Sequence, residues 1–337
     1  MKKVAFLGSQ RQINWVFSKD IITDIKEHYE LICDGEVLTK ERLAEDATLT
    51  TEVSYIFSTW GMPTFTEDEV KRYFPNVEAL FYAAGSVQDF AREFLSQGIK
   101  VFSAWAANGV PVAEYTLAQI ILANTGYYRR LHLPGSGPQW KNRYDMKGLP
   151  GNYDATVGII GAGMIGKLVI KRIQVVLERI RILVFDPFLS EGKAKDLGVT
   201  LCDLPTLFAE SDVISNHLAN NPQTVGMLNG SLFSQMRAHA TFINTGRGAQ
   251  VVEKDLIDAL KQVPTRIAVL DVTFPEPPEE DSPLYTMENV FLSPHVAGSL
   301  GNEVHRMAEY MLEESCLFEN GLSTRYEVTM KMLETMA

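Results

Sequence analysis

Cysteine is scarce in this chain. Cys33, Cys202 and Cys316 are an odd number, widely spaced and without a C-x-x-C pair, which argues against a disulfide framework and a zinc or redox motif. Buried, reduced thiols are expected. Long apolar runs are missing too: no stretch approaches a membrane span, and MKKVAFLG turns polar too soon for a signal-peptide core. Positive charge is in deficit, with 31 Lys and Arg against 42 Asp and Glu and a net charge of −11. Such a chain repels nucleic acid and anionic lipid. Absence of H-E-x-x-H, of paired Cys/His and of a carboxylate cluster excludes the usual metal sites, and absence of G-x-S-x-G disfavours a serine hydrolase. A cytoplasmic protein with a small-molecule partner is the expectation.

What is present is a long alternation of apolar runs and helix-compatible stretches. The 337 residues suggest about two domains, at roughly 100–200 residues each. KKVAFLG, YELIC, VSYIFST, VEALFYAAG and IKVFSA read as strands, separated by stretches such as EDEVKRYF and QDFAREFLSQG. VPVAEYTLAQIILANTGYYRR predicts one long buried helix, ended by the loop LPGSGPQW. A second series follows: TVGII, RILVFD, VISNHL, ATFINT, RIAVLDVT and VFLSPH, each suited to a strand buried on both faces. Helix candidates between them are GKLVIKRIQVVLERI, LPTLFAES and EKDLIDALKQV. The last amphipathic stretch, GNEVHRMAEYMLEESCLFENG, follows the final strand and can return to cover the first domain. This pattern predicts parallel sheets with crossover helices.

VGIIGAGMIGK carries G-x-G-x-x-G at Gly161, Gly163 and Gly166, with Met164 and Ile165 between the last two. Such glycines permit a tight turn, close backbone approach to a pyrophosphate and close packing of helix on strand. Alone the motif is weak. Here it follows a strand, opens a helix, and precedes by 20 residues Asp186 at the end of RILVFD, where a carboxylate takes ribose hydroxyls and repels a 2'-phosphate. NAD is therefore expected over NADP, although a flavin-binding unit shares the glycine pattern.

Three strand ends carry polar groups that apolar strands do not need: Arg247 in INTGRGA, Glu276 in DVTFPEP and His295 in FLSPHVAG. Each alone has a structural explanation. Together they supply what hydride transfer to a 2-oxo acid requires, namely a cation for the carboxylate, a proton donor and a carboxylate that stabilises the imidazolium. The glycines around Arg247 are expected to leave room for nicotinamide and substrate.

These motifs, with NGVPVAEYTLAQIILA, ESDVISNHLANNPQTVGMLN and LSPHVAGSLGNEVHRMA, resemble the D-isomer-specific 2-hydroxyacid dehydrogenases in order and spacing over nearly the whole chain. The resemblance implies an α/β protein of two Rossmann-like domains. A flavodoxin-like substrate domain would comprise residues 1–105 and 298–337, and an inserted NAD-binding Rossmann domain residues 106–297, with catalysis in the cleft between them. It assigns Arg247 to the substrate carboxylate and carbonyl, Glu276 to support of the histidine, and His295 to acid/base work. Asp271 becomes the nicotinamide carboxamide ligand, and Leu218, Thr245 and Gly298 cofactor contacts. A homodimer is implied, formed through the long helix and the loop after it. An NAD-binding corepressor on the same fold is the alternative, and formate dehydrogenase, which expects glutamine at position 276, a lesser one. The substrate loop departs from the family's Gly-x-Gly-x-Asp: Ala84, Gly85 and Ser86 precede Val87 where the second glycine belongs, and Trp60 stands on a neighbouring loop as a second candidate substrate contact. His217 reads as structural near the cofactor, and His28, His132, His239 and His305 as surface or helix residues.

Overall fold

The computed structural model describes residues 1–131 and 148–334; His132 and the glycine- and proline-rich loop expected at 133–140 lie outside them. The chain divides into two compact units, Met1–Gly109 with Ser299–Ala337, and Val110–Gly298. The first division falls inside the helix Trp105–Asn124 rather than before it, two residues from Pro111. Proline has no N–H to give the carbonyl four residues back, so the helix is weakest there. This helix does not run on to residue 130 as the pattern suggested: Gly126, at φ +70, ends it, and a separate helix, Tyr127–Leu131, follows.

In the first unit the apolar runs become β1 (Lys3–Leu7), β2 (Glu30–Leu31), β3 (Val53–Ser58), β4 (Ala79–Tyr82) and β5 (Lys100–Ser103). All pair in parallel, in the order β5-β4-β3-β1-β2, which is the flavodoxin-like arrangement. Both faces are covered, which is why the strands read as nearly continuous apolar runs. Leu80 and Val101 pack with Phe74 and Phe94 on one face. On the other, Phe6, Phe57 and Phe81 pack with Val304, Met307 and Met311 of the C-terminal helix Glu303–Glu319. Within that helix the fully buried Glu314 carboxylate accepts from the amides of Arg325 (2.9 Å) and Tyr326 (3.0 Å), which follow the helix. The chain so turned places the strand Glu327–Val328 antiparallel beside β5. Two residues are too few for any sequence periodicity to show.

The second unit is a parallel sheet of β6 (Thr156–Ile160), β7 (Arg181–Phe185), β8 (Thr200–Leu201), β9 (Val213–Asn216), β10 (Thr241–Asn244), β11 (Ile267–Leu270) and β12 (Val290–Leu292). Their order is β12-β11-β10-β9-β6-β7-β8, with the reversal at β6, where the glycine loop begins. Register carries the functional weight. Phe185, Ile160, Asn216, Asn244, Leu270 and Leu292 are successive partners in one row across the sheet. Each is the last residue of its strand, so the segments that follow all emerge at one edge. The three cysteines are free and partly buried rather than fully so. Among the described residues, no helix is long and apolar enough to cross a membrane.

Candidate active site

The glycine loop leaves the row first. Gly161 has φ +88, and a Cβ there would lie 2.8 Å from the His217 carbonyl oxygen. A Cβ on Gly166 would collide with the Gly161 carbonyl, so the helix Met164–Val176 can sit this close only with glycine. Gly163 differs: a side chain there would meet nothing within 4 Å, and no side chain caps the helix it begins. Open space therefore lies before the uncapped amides of Met164 and Ile165, where a pyrophosphate gains hydrogen bonds and the favourable end of the helix dipole. Asp186, at the end of β7, accepts from Ala162 N (2.7 Å) and Phe188 N (2.8 Å). These bonds draw its carboxylate against the loop, and its remaining lone pairs are free for ribose hydroxyls.

After β10 the Arg247 turn is built on buried amides. Gln250, fully buried, accepts from Asn216 Nδ2 (2.6 Å) and Arg247 N (3.2 Å) and donates to Leu218 O (2.8 Å). Asn216 also donates to Asn244 Oδ1 (2.9 Å), which accepts from Gly246 N (3.1 Å), while Asn244 Nδ2 donates to Arg247 O (3.3 Å). This corrects the reason given for the flanking glycines. A Cβ on Gly246 would lie 2.9 Å from both Asn216 Nδ2 and Gln250 Oε1, and one on Gly248 would collide with the Thr273 backbone. Protein, not ligand, fills the space that those glycines leave. Sequence reasoning passed over Asn216, Asn244 and Gln250; the signal was an asparagine ending each of two otherwise apolar strands, with a glutamine in the turn after the second. The Arg247 guanidinium keeps one bond inside the turn, Nη1 to Gly246 O at 2.8 Å. Burial lowers its pKa and the Glu276 carboxylate partly offsets this.

Leu218 stands at the other end of the Gln250 bridge, with its amide on Asn216 Oδ1 (3.2 Å). Thr245, nearly buried, faces Thr116 Oγ1 (3.3 Å) and His217 Nδ1 (3.5 Å), and His217 Nε2 lies 2.9 Å from Ser215 Oγ. Burial of the imidazole pushes the His217 pKa down to about 3, so the ring is neutral at physiological pH.

Asp271, 2% exposed, is the cornerstone of the last turn. Its carboxylate accepts from Ser293 Oγ (2.6 Å), Val296 N (2.8 Å) and Ala297 N (2.9 Å), folding the segment that carries His295 and leads to the partly buried Gly298. His295 has φ +52, a region costing a side-chain-bearing residue on the order of 1 kcal/mol. The turn holds it there through His295 N to Asp271 O and Ser293 O, each at 3.0 Å. Its Nδ1 meets Glu276 Oε1 at 2.6 Å, with both side chains open to solvent. Among the described residues Nε2 has no hydrogen-bond partner.

In the first unit, Ser103 Oγ donates to the carbonyls of Ala84 (3.0 Å) and Gly85 (2.6 Å) and so fixes the loop after β4. Among the described residues, nothing accepts from the amides of Gly85 and Ser86. Ala84 is different: it is buried and its amide bonds Tyr82 O (2.9 Å), so it offers a ligand nothing. Val87, in place of the family's second glycine, points into the core and leaves the loop surface clear. Two other histidines bond backbone: His28 reaches Asp24 O within its helix, and His305 reaches Val16 O from the C-terminal helix.

Residues 124–297, or 174 of the 337, match the family described as D-isomer specific 2-hydroxyacid dehydrogenase, NAD binding domain. The chain belongs to that family. As a member of it the chain carries the NAD-binding domain, and the open Gly163 cradle with Asp186 beside it fits that cofactor. It is 31% identical over 238 residues to D-3-phosphoglycerate dehydrogenase of Archaeoglobus fulgidus, covering 71% of this chain and 44% of that one. With glyoxylate reductase of Korarchaeum cryptofilum it shares 37% identity over 169 residues, 50% of each chain. The chain thus spans less than half the length of the first of these relatives. D-mandelate dehydrogenase of Rhodotorula graminis has the same fold, with a TM-score of 0.80 at 18% identity over 97% of each chain.

Two outcomes follow from this geometry. Gln250→Leu, similar in volume, strands the Leu218 carbonyl and the Arg247 amide, and should cost about 2–4 kcal/mol in urea unfolding; an unchanged midpoint would show the amide network to be dispensable. His217, with a folded pKa near 3 against 6.5 in a free chain, takes up its proton in the unfolded state first. Its contribution to stability is therefore present above pH 6.5 and is lost as pH falls toward 3. His217→Gln should reduce the stability lost between pH 7 and pH 5 by about 1–2 kcal/mol, read from urea melts at the two pH values.

Proposed function

We propose that this chain is an NAD-dependent oxidoreductase interconverting a D-2-hydroxy acid and its 2-oxo acid. The observation that carries the reading is the 2.6 Å Glu276–His295 pair, presented at the same sheet edge as Arg247 and the glycine loop. When bound, the nicotinamide exchanges the hydride with C2 of the acid. Arg247 grips the carboxylate and the carbonyl oxygen; partial burial strengthens that grip, and a guanidinium can offer two parallel hydrogen bonds. In the first unit the amides of Gly85 and Ser86 are the candidate donors to a carboxylate. His295 Nε2 gives its proton to the carbonyl oxygen as the 2-oxo acid is reduced and takes it back in the reverse direction. Glu276 on Nδ1 orients the ring and leaves Nε2 as the nitrogen that handles the proton. On the cofactor, Met164 and Ile165 amides take the pyrophosphate, Asp186 the ribose, and Asp271 uses its last acceptor position for the carboxamide. Thr245, Leu218 and Gly298 line the nicotinamide through backbone. We further propose a cytoplasmic homodimer, supported by the family resemblance and by the acidic, cysteine-poor composition.

Loss of NADH absorbance against a panel of 2-oxo acids tests the reading. His295→Asn should lower kcat by at least about 100-fold while NADH affinity changes little, since the ring acts on the proton and not on the cofactor; a fully active variant would remove His295 from the mechanism. Asp186→Ala should weaken NADH binding and narrow the preference over NADPH. A wild-type protein that prefers NADPH would overturn the role given to Asp186.

A further inference from the structure

In an open parallel sheet, ligands settle at the carboxyl ends of the strands beside the point where strand order reverses. In the first unit that point lies between β1 and β3, and two tryptophans stand there. Trp60 follows β3, and Trp15 lies on the helix Gln10–Val16 that follows β1; their rings stack at 5.3 Å with planes 29° apart. The Trp60 turn is braced on both sides. Gly61, at φ +82, packs against the loop after β1, where its Cβ would lie 3.1 Å from Ser9 Cβ. Thr59 Oγ1, fully buried, donates to Ala83 O (2.8 Å) and ties the same turn to the loop of Gly85 and Ser86. Trp60 is half-sunk between the two cores of the unit, while Trp15 is 40% exposed. A rigidly seated indole with a second indole left open to water is costly as mere surface, and large aromatics carry most of the energy in apolar recognition.

Charge points the same way. The turns after β1, β3 and β4, residues 8–9, 59–66 and 83–90, contain no lysine or arginine. A phosphorylated side chain entering there would find no cation within these turns; Arg11 and Lys19 stand four residues either side of Trp15, and Lys40, whose Nζ reaches Thr64 O (2.8 Å), is paired with Glu69 (2.8 Å).

We propose that the stacked Trp15–Trp60 pair is the subsite for the substrate side chain, and that the 2-oxo acids this chain reduces carry an aromatic or bulky apolar group at C3. This inference rests on the 2-oxo acid reductase reading above and assigns its substrate class. The braced turn keeps Trp60 in place beside the free amides of Gly85 and Ser86, so one acid can present its carboxylate to the amides and its side chain to the indoles.

The experiment compares kcat/KM with NADH for phenylpyruvate, pyruvate, glyoxylate and 3-phosphohydroxypyruvate in the wild type and in Trp15→Ala, Trp60→Phe and Trp60→Ala. Wild type should prefer phenylpyruvate to pyruvate by on the order of 100-fold, the range of a well-filled apolar pocket. Trp60→Ala should cut that ratio by about tenfold or more, Trp15→Ala by less, and Trp60→Phe should restore most of it. Trp15 is exposed, so its variant keeps the test open if Trp60→Ala fails to fold. Quenching of tryptophan fluorescence by 3-phenyllactate, lost with Trp15→Ala, gives a readout apart from turnover. A ratio near one in wild type, or one unmoved by all three variants, overturns the subsite and leaves the reductase reading standing. Preference for the phosphorylated acid overturns it too and points to Arg11. No reduction of any 2-oxo acid defeats the reductase reading and takes the subsite with it.

Discussion

Parallel register is the constraint on which the candidate site depends. One row of six paired residues ends six strands of the second unit at the same level, and every candidate site residue of that unit lies one to six residues later. Because neighbouring parallel strands are joined by hydrogen bonds at about 4.8 Å spacing, groups as far apart in sequence as Gly161 and His295 are held to a common edge. Slippage of one strand by a single residue would exchange the side chains that face its two covering layers as well as displace its loop, so the core that stabilises the unit also enforces the geometry of the site.

At that edge, positions are secured by carboxylates and amides that do no chemistry themselves. Asp271 spends three acceptor positions on folding the His295 turn, and Gln250 joins the Arg247 turn to the backbone of Leu218. Buried polar groups of this kind are costly unless each finds a partner. Once satisfied, they impose one geometry where an apolar contact would tolerate several. His217 extends the same economy: a neutral imidazole between two hydroxyls fills polar space near the cofactor loop without adding charge to it.

The first unit works with softer materials. Its edge presents two amides that have no partner among the described residues and a pair of stacked indoles, rather than a charged network. Val87 shows how such an edge tolerates change: with its side chain in the core, the loop that replaces a family glycine still presents Gly85 and Ser86.

Much of this was legible beforehand. Apolar runs of four to six residues marked the longer strands, because a strand covered on both faces cannot hide polar groups, and the glycine spacing with Asp186 marked the cofactor loop. Arg247, Glu276 and His295 were visible as polar intrusions at strand ends. Short pairings such as Glu327–Val328, the helix break at Gly126 and the buried carboxylate of Glu314 were not, since each depends on partners that sequence distance conceals. What the sequence determined by itself was composition and pattern: an acidic α/β chain of two units with a nucleotide loop, because periodicity and backbone sterics act locally. Only tertiary structure decided that the glycines beside Arg247 serve Gln250, Asn216 and the Thr273 backbone, that Ala84 is closed to a ligand, and that Trp15 lies on Trp60. Those are contacts across strands, and they exist only once the sheet has set its register.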